Sequence, residues 1–193
     1  MKEAPDFPGI KTRRLLLTLP PAEAAARMLA YVQENREHFA PWSPPVPVSY
    51  YTQAYWSERL AAARAEFQRG QSLRLIFFER KHPEGRVIGD CSFNEIVRGA
   101  FQACYLGYKL DRRAVGQGLM HEALTAAIAY VFDDLRLHRI MANYMPTNER
   151  SGRLLRRLGF NVEGYARDYL FIAGGWRDHI LTALHNPNPT PPR

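Results

Sequence analysis

Apolar residues recur along this chain in two rhythms, one of period two and one of period 3.6. A short apolar run at residues 13–19 predicts a strand. Pro20-Pro21 then opens an Ala-rich stretch that reads as a helix to about Arg36, since proline is tolerated in a first helical turn. Prolines at 41, 44, 45 and 47 make residues 35–49 an irregular loop. Thr52 is placed to cap a second helix, in which Trp56, Leu60, Ala63 and Phe67 share one face and Gly70 suits the stop. Residues 73–78 and 87–93 read as strands around a polar turn at 81–85, and 102–110 as a third in the series. A glycine-bearing turn leads into a mostly apolar helix over 118–135. A strand follows at 139–144, then a helix over 148–158 stopped by Gly159. Residues 166–172 and 176–183 form a hairpin around Gly174-Gly175, a strong two-residue turn signal.

The predicted order is strand, two helices, three strands, helix, strand, helix, two strands. Strands 102–110 and 139–144 flank a helix, so they run parallel through a right-handed crossover, while the others pair as hairpins. The expected fold is α/β (α+β), a mixed, mostly antiparallel central sheet with helices on both faces.

Composition bounds the answer without choosing a chemistry. At 193 residues the chain suits one domain, expected over 1–185, followed by a Pro-rich tail at 186–193 that reads as extended. Hydrophobic residues at 46% and charged residues at 23% exclude a mainly disordered or collagen-like chain. No apolar run approaches the ~18–20 residues needed to span a bilayer, so no membrane partner is expected. The first residues lack the apolar core of a signal peptide. Cys91 and Cys104 give neither a disulfide framework nor a metal spacing, so no metal is expected and a reducing, cytoplasmic setting is the default. Against 19 acidic residues stand 26 basic ones, a net charge of +7. That favours acidic partners such as phosphates, RNA or acidic proteins, though a dispersed basic surface also simply keeps a protein soluble.

The segment Arg113-Ala-Val-Gly-Gln-Gly118 lies between a strand and a helix. Unpartnered backbone N–H groups and the helix dipole make it a ready anion site. A dinucleotide fingerprint would need glycine where His121 stands, and a P-loop would need Gly-Lys-Ser/Thr where Gly118-Leu119-Met120 stands. An ordinary two-glycine turn satisfies the letters as well.

The same segment, an Arg/Gln-x-x-Gly-x-Gly/Ala pattern, resembles the acyl-CoA pyrophosphate loop of the GCN5-related N-acetyltransferase (GNAT) superfamily. The resemblance continues through Asn148-x-x-Ser151 and the Leu-Leu-x-x-Leu-Gly-Phe run ending at Phe160. Segments 97–108, 119–128, 138–146 and 176–184, with the loop 35–42, resemble the RimJ/RimL group of ribosomal-protein N-acetyltransferases. The resemblance covers nearly the whole chain. It implies a GNAT fold with the parallel strand pair at the cofactor cleft, and acetyl-CoA as co-substrate. The implied activity is acetyl transfer to the α-amino group of an N-terminal alanine on a small-subunit ribosomal protein.

The resemblance also assigns roles. The backbone of Leu106, Gly107 and Tyr108 matches the strand that hydrogen-bonds the pantetheine arm. Val115, Gly116, Gln117, Gly118, Leu119 and Met120 match the pyrophosphate loop, with Arg113 adding a charged contact, unless it is simply an exposed loop arginine. Asn148 serves as a helix N-cap, a pantetheine contact, or both. Many members carry a tyrosine acid on this second helix; here Arg153-Leu154-Leu155 stands in its place, which leaves Ser151 as the donor to the departing thiolate. Asp168, Glu95 and Glu163 are candidate bases near strand ends, His121 and His138 weaker ones, and a water relay an alternative.

Selection of a small first residue needs a confined apolar slot. Phe39 and Trp42, on the Pro-rich loop, are the foremost wall candidates, ahead of Tyr50, Tyr51, Phe101, Tyr169 and Trp176. Arg98 and other scattered cations are candidates for transient ribosome or rRNA contact. Two other readings stay open: acetylation of a small amine such as an amino acid, polyamine or antibiotic, and a ribosome- or RNA-binding assembly factor with a residual CoA site. An acidic enclosed pocket would favour a polyamine, and an open groove a peptide.

Overall fold

The computed structural model describes residues 7–19, 21–189 and 191. The expectations placed on residues 1–6, on Pro20 as helix opener, and on Thr190, Pro192 and Arg193 in the tail lie outside the described residues. Eight strands build one sheet: β1 (Ile10–Lys11), β2 (Leu15–Thr18), β3 (Leu73–Glu79), β4 (Gly89–Val97), β5 (Ala103–Leu110), β6 (Arg139–Met141), β7 (Asn161–Ile172) and β8 (Gly175–His185). Their order across the sheet is β1-β2-β3-β4-β5-β6-β8-β7. Every neighbouring pair is antiparallel except β5 and β6, which run parallel as expected from the helix between them. The helices are α1 (Ala25–Glu34), α2 (Arg36–Phe39), α3 (Gln53–Gln68), α4 (Leu119–Asp133) and α5 (Glu149–Arg157).

Two apolar layers sandwich the sheet, and the period-two alternation of β3 serves both. Leu73, Leu75 and Phe77 face the larger core with α4, while Ile76 and Phe78 face the smaller one with α1. The α4 residues Leu119, Ala123, Leu124, Ala127, Ile128 and Val131 recur at helical spacing and are all buried. Each large side chain so buried contributes roughly 1.5–3 kcal/mol. On α3, Thr52 caps as expected by accepting the Tyr55 N–H at 3.3 Å. Trp56, Leu60 and Ala63 are buried there.

Several elements differ from expectation for identifiable reasons. The first helix ends at Glu34 rather than Arg36, and a second short helix and a 3-10 turn at Ala40–Trp42 occupy the start of the expected loop. At the break, buried Asn35 donates to Tyr31 O at 2.9 Å and accepts from the Arg112 N–H at 2.9 Å. Strand β4 runs on to Val97 through a bulge after Asn94, where Glu95 has φ 51°. Strand β7 begins at Asn161 and carries two bulges, with Asp168 at φ 46°. The hairpin turn is Ala173-Gly174, not Gly174-Gly175. Ile172 pairs with Gly175, and both turn residues have positive φ (49° and 78°), the signature of a type I′ turn. The short β1 was not anticipated. Asn186, the first residue of the expected tail, is buried and donates to Phe132 O and Leu137 O.

The parallel pair lasts three rungs, Ala103↔Arg139, Cys104↔Ile140 and Tyr105↔Met141. Beyond Met141 the chain leaves β5 for β8: Ala142 N–H bonds Thr182 O, and Tyr144 bridges Ile180. The edge of β5 from Leu106 onward is thereby uncovered. That divergence opens the functional cleft.

Candidate active site

A cavity of about 1050 Å³ occupies the gap between β5 and the segment after β6. One wall is the free edge of β5, with Leu106, Gly107 and Tyr108. Because β4 holds the other edge of β5, the alternate N–H and C=O groups from Leu106 onward are left facing the cleft. They suit an extended amide-bearing arm laid alongside as an extra strand.

The second wall is the turn before α4. Val115, Gly116, Gly118, Leu119 and Met120 line the cavity. Gly116 (φ 83°) and Gly118 (φ 73°) occupy left-handed backbone, which directs the chain sharply into the helix. The first bond in α4 runs from Glu122 N–H to Gly118 O, so the N–H groups of Leu119, Met120 and His121 point out of the helix end without intrahelical acceptors. A brace from the link between β1 and β2 holds the turn. Arg14 donates to both Glu122 (Nε–Oε2, 2.6 Å) and Gln117 O (2.9 Å), and Thr12 also donates to Glu122. The desolvated Glu122 carboxyl is still held below its usual range by the hydrogen bonds from Thr12 and Arg14.

Two predicted cofactor residues stand off the cavity wall. Arg113 is committed elsewhere: it donates to Asp111 from Nε (3.1 Å), Nη2 (2.9 Å) and its backbone N–H (2.7 Å), and to Glu34 from Nη2. The buried Asp111 also pairs with Arg86, and these donors outweigh burial to bring its carboxyl down to about 2. Arg113 therefore orders the turn rather than reaching into the cleft. The Gln117 side chain folds back to donate to Arg113 O.

The third wall is α5. Asn148 accepts the Ser151 N–H at 3.2 Å, the expected cap, and both residues line the cavity. The hydroxyls of Ser151 and Tyr108 share a hydrogen bond of 2.6 Å across the cleft. Burial pushes the Tyr108 phenol up to about 12, against the opposing effect of the Ser151 bond. The Tyr108 side chain is a functional group the sequence reading missed, having used only its backbone. Alternation along β5 carries the signal, since Tyr108 shares a face with Leu106 and so points toward α4 and α5. Gly152 lets α5 approach Tyr144, because a Cβ there would lie 2.7 Å from the Tyr144 ring. Arg150, Arg153 and Arg157 of α5 give this wall a basic rim.

Phe39 and Trp42 line the cavity as expected, Phe39 buried and Trp42 half exposed. Arg98 does not: exposed, it donates to Leu135 O at 2.6 Å, at the end of α4. None of the three candidate carboxylates lines the cavity. Glu95 and Asp168 are exposed and sit in the bulges of β4 and β7, where the alternation that would aim them inward is broken. Asp168 uses its N–H to bond Asp178 Oδ1 at 2.9 Å. Glu163 pairs with Arg139, and His138 packs against His185. His179, unanticipated as a site residue, does line the cavity and is buried. Its Nδ1 lies 3.0 Å from Arg177 O; a carbonyl can only accept, so Nδ1 carries the hydrogen and Nε2 is left as the basic nitrogen. The Tyr169 ring flanks it, with centroids 5.3 Å apart.

Residues 14–161 match the family model described as Acetyltransferase (GNAT) domain. The chain belongs to the GNAT acetyltransferase family. It is 46% identical over 184 residues to the [ribosomal protein uS5]-alanine N-acetyltransferase of Escherichia coli (strain K12), which covers 95% of this chain and 94% of that one. Its fold matches the ribosomal-protein-S5-alanine acetyltransferase of Vibrio fischeri with a TM-score of 0.90 at 34% identity, over 95% of this chain and 99% of the other. It also matches Mycobacterium smegmatis RimJ in complex with CoA-disulfide, with a TM-score of 0.85 at 25% identity, over 94% and 90%. GNAT membership makes the chain an acetyl-CoA-dependent N-acetyltransferase.

Proposed function

We propose that this protein moves the acetyl group of acetyl-CoA to the α-amino group of an N-terminal alanine, on ribosomal protein uS5 of its own cell. The observation that carries this reading is the 46% identity to the E. coli uS5-alanine enzyme over 95% of this chain. In this reading the pantetheine arm lies along the free edge of β5, the pyrophosphate meets the N–H groups at 115–120, and Asn148 braces the arm from α5. The same reading places the protein in the cytoplasm, where ribosomal proteins are made.

The amine must attack as a neutral nucleophile. An α-amino group has a pKa of ~7.7–8.0, so roughly a third is neutral near pH 7.5, against on the order of one in a thousand lysines. The nitrogen lone pair adds to the thioester carbonyl, and collapse of the tetrahedral adduct breaks the C–S bond. Tyr108, the stronger acid of its pair, donates to Ser151 Oγ and leaves the serine proton free to meet the thiolate. We assign the amine's departing proton to Nε2 of His179. An amine that is already partly neutral needs no strong base.

The test is transfer from acetyl-CoA to a short peptide with a free N-terminal alanine, compared with its pre-blocked form and a lysine-bearing, N-blocked peptide. Acetylation of the free N-terminus alone is expected. Equal labelling of the lysine peptide, or none of any peptide, refutes the reading.

A further inference from the structure

A second chamber of about 580 Å³ adjoins the cleft. It lies between α1 and α2, the Pro-rich run at 43–48, the 3-10 turn Val48–Tyr51 and the tip of the β7–β8 hairpin at Ala173-Gly174. Phe39, Ser43, Pro44 and Lys109 line both chambers and form the dividing wall between them, over which the two adjoin. The apolar lining comes mainly from Val32, Pro47, Val48, Tyr50 and Tyr51.

Set into that apolar lining are two cations and no carboxylate. The Arg36 guanidinium lies 4.8 Å from the Tyr51 ring centroid, and the Lys109 ammonium 5.4 Å from that of Phe39. Neither has a carboxylate within ion-pair distance among the described residues. Across the sheet from Lys109 stands Asp90, which accepts from Tyr31 Oη at 2.9 Å; burial raises its carboxyl pKa, against the opposing charge of Lys109 and the Tyr31 bond. The dividing wall also holds an unspent hydrogen bond, since buried Ser43 Oγ has no partner among the described residues. Leaving such a group unsatisfied is unfavourable, and a ligand lying across this boundary would supply the missing bond.

We propose that this chamber is a specificity subsite that receives acceptor residues two to four, taking an apolar side chain with a carboxylate beside it. The proposal rests on the N-terminal acceptor reading given above. An extended peptide advances ~3.3–3.5 Å per residue, so an acceptor whose first residue sits in the cleft passes the dividing wall within its next few residues. There Ser43 bonds its backbone, Tyr50 and Tyr51 pack its apolar side chain, and Arg36 and Lys109 face its carboxylate.

The experiment compares kcat/KM for three peptides with a free N-terminal alanine, carrying Leu-Glu, Leu-Lys or Gly-Gly at residues three and four. The same set is run with Arg36→Glu. The Leu-Glu peptide is expected to exceed the Leu-Lys peptide by about tenfold or more, because a lysine there faces two like charges. The Gly-Gly peptide should fall well below Leu-Glu as well. In Arg36→Glu the Glu-to-Lys ratio should drop about tenfold; being a ratio within one preparation, it is independent of the folded fraction. Equal kcat/KM for all three peptides, each acetylated at its alanine, overturns the subsite and leaves the N-terminal reading standing. A ratio unchanged by Arg36→Glu also overturns the subsite. No transfer to any of the three, with acetyl-CoA binding intact, overturns the N-terminal reading and the subsite together.

Discussion

Replacing Ser151 by alanine removes the group assigned to the departing thiolate, and the partner across the cleft sets how large the loss should be. Ser151 Oγ lies 2.6 Å from Tyr108 Oη, and the phenol, raised to about 12, stays protonated throughout the working range. The phenol fixes the serine rotamer; the serine meets the developing charge. Losing a donor to developing charge in an enclosed site costs about 2.7–4 kcal/mol, roughly 10²–10³ in kcat. Tyr108→Phe leaves the serine in place and removes one neutral hydrogen bond, worth about 1 kcal/mol or roughly fivefold. With the serine gone, the phenol has nothing left to orient. The double variant should therefore match Ser151→Ala, with a coupling energy of about 1 kcal/mol. Continuous detection of released CoA thiol under saturating acetyl-CoA supplies kcat for the four proteins, and thermal melts check that each is folded. Additive losses, or a Ser151→Ala enzyme with the wild-type kcat, would refute the proposed division of labour.

Other perturbations read other parts of the site. Gly152→Ala places a Cβ 2.7 Å from the Tyr144 ring; it should cost about 1–3 kcal/mol in a denaturant melt and raise the KM for acetyl-CoA as α5 shifts. His179→Gln should lower kcat/KM for the acceptor peptide while leaving the KM for acetyl-CoA unchanged; a wild-type kcat/KM would contradict the assignment. Asp111 has its folded pKa lowered to about 2 from an ordinary 3.8, so its stabilisation is present above about pH 4 and lost as pH falls through 2. Asp111→Asn should remove about 1.5–3 kcal/mol at pH 7 and flatten the acid limb of a stability-versus-pH curve.

The strand and helix alternation of this fold was legible because each rhythm carries its own burial. The 3.6 period of α4, the Thr52 cap and the parallel β5–β6 pair all follow from local letters plus the crossover rule. What local letters do not carry is the partner chosen from far away. Asn35 stops its helix because it bonds the backbone of Arg112, 77 residues on. Glu95 and Asp168 read as inward carboxylates only while the period of two holds, and each sits in a bulge that breaks it. Arg113 reads as a phosphate ligand until Glu34, 79 residues back, joins the neighbouring Asp111 in claiming it. The glycine turn was the more legible part of the cleft, because a turn opening a helix announces its own unpartnered N–H groups. The rest of the lining comes as single residues from α2, β5, β8 and the Pro-rich run, with no motif to bind them in sequence.

The most direct test of the central claim is acetylation of intact uS5 bearing a free N-terminal alanine by the purified protein and acetyl-CoA, with the acetyl group located by tandem mass spectrometry of the whole protein. The account predicts one acetyl group, on the alanine α-amine, introduced at least roughly a hundredfold more slowly by Ser151→Ala. Acetyl groups on lysines, or an unmodified alanine after prolonged incubation with active enzyme, would contradict it.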